Sequence, residues 1–204
     1  SAGIYFNACK EVTVRGCYLL GFPAVVSSSI NAQFLNNFVQ GGGFWLENGS
    51  QDTVVAGNDI VGGRTQGVTL GGARIEPLAE DERVRRITIR DNRISQMRQS
   101  AIGSAFGRPS IQSLGQIESL TISQNQLFWN ANEEDADIFD GQSQGGIILQ
   151  GVHRGRIHDN DISGNGGQGQ IPACGILLSW SAGVEIKDNQ IAGNGLFIES
   201  GTVT

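Results

Sequence analysis

The pattern apolar-x-apolar-x-x-Asn-x-apolar occurs seven times in this chain, and few folds can accommodate it. It begins as Val12-Val14-Cys17-Leu19, with Cys in the Asn place. It continues as Ala32-Phe34-Asn37-Val39, Thr53-Val55-Asn58-Ile60 and Ile87-Ile89-Asn92-Ile94. The last three copies are Leu120-Ile122-Asn125-Leu127, Gly155-Ile157-Asn160-Ile162 and Val184-Ile186-Asn189-Ile191. Successive copies start 20, 21, 34, 33, 35 and 29 residues apart, so the minimal unit holds about 20 residues and later units carry insertions. A chain that repeats in this way stacks like units on like units.

Ahead of most copies stands a second apolar pair led by a small residue. Examples are Gly3-Ile4-Phe6, Gly43-Phe44-Leu46, Gly67-Val68-Leu70, Gly146-Ile147-Leu149 and Gly175-Ile176-Leu178. The segments AVVSSS (Ala24 to Ser29) and AIGSA (Ala101 to Ala105) are degenerate versions. Within each pair the period is two, that of a strand with alternate side chains inward. Thirty glycines against four prolines, with no window of 3.6 period, favour short strands and turns over helices. Three short strands per unit predict a parallel β-solenoid, whose coils bury an apolar face only by stacking. With strands about 4.8 Å apart, seven coils make a rod of roughly 34 Å. The repeated Asn suits a bend, because it tolerates unusual backbone angles and its amide can both donate and accept toward the next coil. Cys17 cannot do this, so the asparagine ladder is expected to weaken at the first coil.

The bends DNDISGNG (Asp159 to Gly166) and DNQIAGNG (Asp188 to Gly195), together with the GIxL strands, resemble the right-handed parallel β-helix repeats of the pectin-lyase-like superfamily. The resemblance spans nearly the whole chain. It implies one all-β domain over residues 1–204, a right-handed parallel β-helix of about seven coils with three strands per coil and corner insertions. It also implies an order within the coil: the GIxL strand first, the VxI strand second, and the Asn bend before the third. It does not imply one activity, since that superfamily includes lyases, hydrolases, epimerases, phage tailspikes and adhesins.

Strand residues appear from Gly3 onward, and Gly195-Leu196-Phe197-Ile198-Glu199 opens an eighth first strand with no visible cap. Solenoid ends need covering. The chain therefore reads as a slice of a longer protein, or as a unit that packs end to end or oligomerises. A net charge of −6 argues against nucleic acid as a partner. No apolar run nears the roughly 18 residues of a membrane span. Cys9, Cys17 and Cys174 are odd in number and lack CxxC spacing; they read as buried small apolar residues rather than a disulfide frame or a zinc site.

The insertions Gly71 to Arg85 and Phe106 to Gln116 follow first strands, while Asn130 to Gln144 and Gly166 to Cys174 precede them. All four flank the first-strand face, where loops on a rigid scaffold commonly build a site. The resemblance implies a substrate groove along that same face. Alternation predicts that Tyr5, Val26, Trp45, Thr69, Gly103, Ile148 and Leu177 point outward there, with Asn7, Glu47, Gln150, Ser179 and Trp180 further out. Tyr5, Trp45 and Trp180 can stack on sugar rings. Ile148 and Leu177 suit a contact surface. Glycoside hydrolysis needs two facing carboxylates, and uronate lyases of the resembled superfamily use Ca²⁺-binding acids with a basic residue. This face offers Glu47.

Three further clusters carry chemistry. Glu133, Glu134, Asp135, Asp137 and Asp140 lie close enough in sequence to hold Ca²⁺, or to form a solvated acidic loop. In HRGRIHDND, His158 beside Asp161 could exchange protons, or belong to an ordinary polar face. Arg74, Arg83, Arg85, Arg86, Arg90, Arg93, Arg98 and Arg108 place eight of the fourteen basic residues within 35 positions. They could grip an anionic polysaccharide, Arg90 and Arg93 among them, or pair with Glu76, Glu80, Asp81 and Glu82 nearby.

Two functions are consistent with these residues. One is recognition or processing of a polysaccharide, an anionic glycan above all, on the first-strand face. As an enzyme the protein would be a polysaccharide lyase or glycoside hydrolase, with Glu47, His158 and Asp161 as catalytic candidates. The other is a non-catalytic structural or adhesive module whose partner is another protein domain. Either places the protein outside the cell or on its surface.

Overall fold

A computed structural model describes residues 3–71, 79–104, 116–132, 144–167 and 173–195. The described residues form seven coils of three strands each, and like strands of successive coils pair in parallel into three sheets. Sheet A holds the first strands: Ile4–Asn7, Ala24–Ser27, Phe44–Glu47, Val68–Leu70, Ile102–Ser104, Gln144–Gln150 and Ala173–Ser179. Sheet B holds Thr13–Arg15, Gln33–Leu35, Val54–Ala56, Val84–Arg90, Ile117–Ser123, Val152–His158 and Ala182–Lys187. Sheet C holds Tyr18–Leu20, Phe38–Gln40, Asp59–Val61, Arg93–Ser95, Gln126–Phe128, Asp161–Ser163 and Gln190–Ala192. The order of strands within the coil is the expected one.

Each repeat position becomes a file of side chains running down the rod. Val14, Phe34, Val55, Ile89, Ile122 and Ile157 align in sheet B. Leu19, Val39, Ile60, Ile94, Leu127 and Ile162 align in sheet C. With Val26, Leu46, Leu70 and Leu149 of sheet A they make one continuous core. Phe34 is fully buried, with its ring centroid 4.6 Å from that of Phe44 and 6.4 Å from that of Phe6. At Gly67 the small lead residue is required, because a Cβ there would lie 2.4 Å from Ile94 Cγ2 and 2.8 Å from the Ala101 carbonyl.

The expected asparagine ladder is present between sheets B and C. Asn37, Asn58, Asn92, Asn125 and Asn160 each donate from Nδ2 to the next Asn Oδ1, at 2.8 to 3.0 Å, ending at Asn189. Each Nδ2 also donates to a sheet B carbonyl of the preceding coil, as Asn92 does to Val55. The ladder stops at the first coil, where the Cys17 N–H donates to Asn37 Oδ1 and the thiol offers nothing in return along the rod. A second ladder was not anticipated. Asn130, Asn165 and Asn194 stack in the same way where sheet C turns into sheet A, and the Met97 N–H donates to Asn130 Oδ1.

Two expectations are corrected. Val25, not Val26, occupies the outward row of sheet A, since Val25 aligns with Tyr5 and Trp45 while Val26 aligns with Phe6 and Leu46 in the core. Two adjacent valines carry no period that could set the phase. The cysteines are free thiols, but Cys17 is exposed and Cys9 and Cys174 are half-buried. Burial raises the Cys174 thiol above its ordinary range. The acidic run 133–140, Arg74, Glu76, Arg108 and the expected eighth first strand beyond Gly195 lie outside the described residues.

Candidate functional site

Sheet A presents the row Tyr5, Val25, Trp45, Thr69, Gly103, Ile148 and Leu177. Tyr5 is 57% exposed, Trp45 is half-buried, and Val25 lies between them. The Trp45 indole Nε1–H donates to the Gly71 carbonyl at 2.9 Å, across one coil. That bond fixes the ring without consuming its face. Over Gly103 lies the amide of Gln66, which occupies the space a side chain would fill.

A trough of about 620 Å³ opens where sheet C turns into sheet A. Its floor is Gly21, Gly41 and Gly62, one from each of three successive coils, spanning roughly 10 Å of rod. Phe22 and Pro23 stand at one end, Arg64 and Thr65 at the other, and Trp45 forms a wall. Left-handed backbone, at φ 79°, 76° and 66°, favours glycine at these three floor positions, and beside them a Cβ at Gly42 would lie 2.4 Å from the Phe22 carbonyl oxygen. Phe22 is 54% exposed. Arg64 is exposed and, among the described residues, pairs with no carboxylate. Arg64 was not among the expected residues. Its only signal was its place in GGRTQG, the turn just ahead of a first strand.

The other expected site residues do not converge. Glu47 lies at the far edge of sheet A in the third coil, where Asn48 Nδ2 donates to its Oε1 at 3.2 Å. The short 3₁₀ turn Glu80–Glu82 sits at the same corner, since the Gly49 N–H donates to the Glu82 carbonyl at 2.7 Å. Trp180 is exposed at the end of the seventh first strand, four coils from Trp45. His158 ends a sheet B strand and its Nδ1 meets Asp159 Oδ2 at 2.7 Å, while Asp161 stands exposed on sheet C. Among the described residues, no three His, Cys, Asp or Glu side chains are placed to share a metal ion.

Four of these arginines pair with carboxylates of their own coil or of the one before. Arg86 makes a bidentate pair with Asp52, at 2.6 and 2.7 Å, and its guanidinium holds the Asp52 carboxyl below the usual carboxylate range. Arg85 pairs with Glu80 at 3.5 Å. Arg90 pairs with Asp91 at 2.5 Å. Arg93 reaches Asp59 at 3.7 Å and covers the Phe128 ring at 4.8 Å. Arg90 and Arg93 flank the Asn92 bend between sheets B and C, away from the sheet A face.

A rod of three parallel sheets held by internal asparagine ladders defines the parallel β-helix class. Within that class, the chain belongs to the right handed beta helix region family, whose model matches residues 43–204. Among solved structures, the mannuronan C-5 epimerase AlgE4 A-module of Azotobacter vinelandii aligns with a TM-score of 0.58 at 20% identity. The alignment covers 90% of this chain and 54% of that one, so the chain spans about half the length of the module. HetL, a pentapeptide repeat protein from Nostoc sp. Strain PCC 7120, aligns at a TM-score of 0.14 and 11% identity, covering 91% of this chain and 86% of its own, and carries no weight. No curated protein matches the chain.

Proposed function

We propose that the protein recognises an anionic polysaccharide along sheet A and its corner with sheet C. Trp45 stacks on a sugar ring and Arg64 holds a carboxylate. The trough carries this reading: an indole fixed by its own hydrogen bond, a guanidinium that pairs with no carboxylate among the described residues, and a floor of glycine that leaves backbone open to approach. Sugars offer apolar C–H faces and hydroxyls, which suit a rigid aromatic plate with a few polar groups. A uronate adds a planar carboxylate, the natural bidentate partner of guanidinium. Mannuronan, named for the similar epimerase module, is a polymer of that kind. Recognition is favoured over turnover because Glu47, His158 and Asp161 occupy three different sheets, whereas acid–base chemistry on a sugar needs its groups around one bond. Such a ligand suits an extracellular or cell-surface location.

A non-catalytic structural or adhesive module is the second reading. The outward, half-buried Ile148 and Leu177 favour it, as apolar neighbours on one face suit a protein contact. A glycan array answers between the two, run beside an absorbance assay for unsaturated uronates with and without Ca²⁺. Binding confined to uronate polymers, without absorbance gain, is the expected result. Binding to no glycan, with a concentration-dependent oligomer in sedimentation, supports the structural module instead.

A further inference from the structure

Sheet B carries a second concavity, on a different face of the rod from the trough. In coils four to seven its strands lengthen to Val84–Arg90, Ile117–Ser123, Val152–His158 and Ala182–Lys187. Each is interrupted at one aligned place by a residue with left-handed backbone: Arg86 at φ 52°, Ser119 at 59°, Arg154 at 62° and Gly183 at 66°. The pairing register skips these residues, so Arg85 aligns with Glu118 and Ile87 with Leu120. A single such residue is a common bulge. Stacked in register they crease the sheet, and the same place is left-handed in coils one to three, at Glu11, Asn31 and Asp52, so the crease runs the length of the rod.

The crease encloses about 440 Å³. Ser119, Thr121, Arg154, Arg156 and Glu185 line it with hydroxyls, two guanidiniums and one carboxylate. The guanidiniums are loosely held. Arg154 lies 4.0 Å from Glu118 and is 69% exposed, and Arg156 lies 3.6 Å from Glu185 and is 72% exposed. Exposed pairs at such distances contribute little and exchange readily for a better partner. A ligand carboxylate that takes both hydrogen-bond donors of one guanidinium is such a partner. The carboxylate of Glu185 tells against a bare inorganic anion. It accepts hydrogen bonds, and with Ser119 and Thr121 it suits a ligand rich in hydroxyls.

We infer that the sheet B crease is a second binding site, selective for a sugar unit that carries both hydroxyls and a carboxylate, a hexuronate. It takes its ligand class from the polysaccharide reading above but shares no residue with the trough. The test is amide-resolved NMR of the full chain titrated with a hexuronate trisaccharide, a neutral glucan trisaccharide or inorganic sulfate. The hexuronate is expected to shift the amides of Ser119, Thr121, Arg154, Arg156 and Gly183, in wild type and in the Trp45→Ala/Arg64→Ala variant alike. Crease shifts that survive in that variant separate this site from the trough, whichever way the trough itself behaves. Arg154→Ala/Arg156→Ala is expected to weaken the crease by about tenfold or more, as lost charge-assisted bonds imply. Both arginines are exposed, so the fold tolerates the change. Absent hexuronate shifts, equal shifts with glucan or sulfate, or unchanged affinity in the arginine variant would overturn the assignment.

Discussion

Asn92 is 1% exposed and joins groups from three other residues. Its Oδ1 accepts from the Asn58 backbone and side chain, its Nδ2 donates to Val55 and Asn125, and its N–H donates to Asn125 Oδ1. Asn92→Ala leaves the buried Asn58 N–H dry and unpaired, at a cost of about 1–3 kcal/mol. Urea unfolding should register this, and a loss under about 1 kcal/mol would mean that water replaces the amide. Phe34→Ala is expected to cost about 3–5 kcal/mol by cavity formation in the core. The first ladder was legible because Asn recurs at one place in six of seven repeats. The second was not, although it runs five residues behind the first. Upstream of Asn130 its place is taken by Met97, Gly63, Gly42 and Phe22, which share no side-chain chemistry. Val25 and Val26 teach the same point on a smaller scale: alternation sets a phase only where polar and apolar residues alternate.

At the level of single strands, the cross-coil pair Arg86–Asp52 ties the fourth coil to the third. The lowered carboxyl of Asp52 sets a sign for pH dependence. Its contribution is complete above about pH 4, the unfolded carboxylate value, and is lost as pH falls through the lower folded value. Both groups are solvent-accessible, so the contribution is at most about 1 kcal/mol. The stability gap between wild type and Asp52→Asn should therefore close between about pH 5 and the acid limit. Urea midpoints across that range check it, and a gap that stays constant would show that the pair does not titrate with folding. The arginine-rich stretch looked in sequence like one stripe. The rod divides its described members among two sheets and their corners, and their partners come both from the same coil and from the one before. Sequence distance could not sort them, because partners lie anywhere from 1 residue away, as Asp91 does from Arg90, to 34, as Asp52 does from Arg86.

On the scale of the whole rod, the repeat determined the architecture because stacking is the only way for each coil to bury its apolar pair. The sheet A row was legible for the same reason. The trough was not. It arises from the turns Gly21–Pro23, Gly41–Gly42 and Gly62–Thr65, which share little beyond glycine and acquire meaning only when three coils bring them together. Trp45 from the first strand of the third coil and Arg64 from the turn that closes it both line the trough. The crease in sheet B was hidden for a related reason, since its left-handed positions read as Glu, Asn, Asp, Arg, Ser, Arg and Gly. The most direct measurement is the affinity of a mannuronan oligosaccharide for the wild-type protein, for Trp45→Ala and for Arg64→Ala, read at the trough by amide-resolved titration. Each variant should weaken binding there by about tenfold or more while leaving the urea midpoint unchanged. Equal affinity at the trough in all three proteins would contradict the assignment of this corner as the site of recognition.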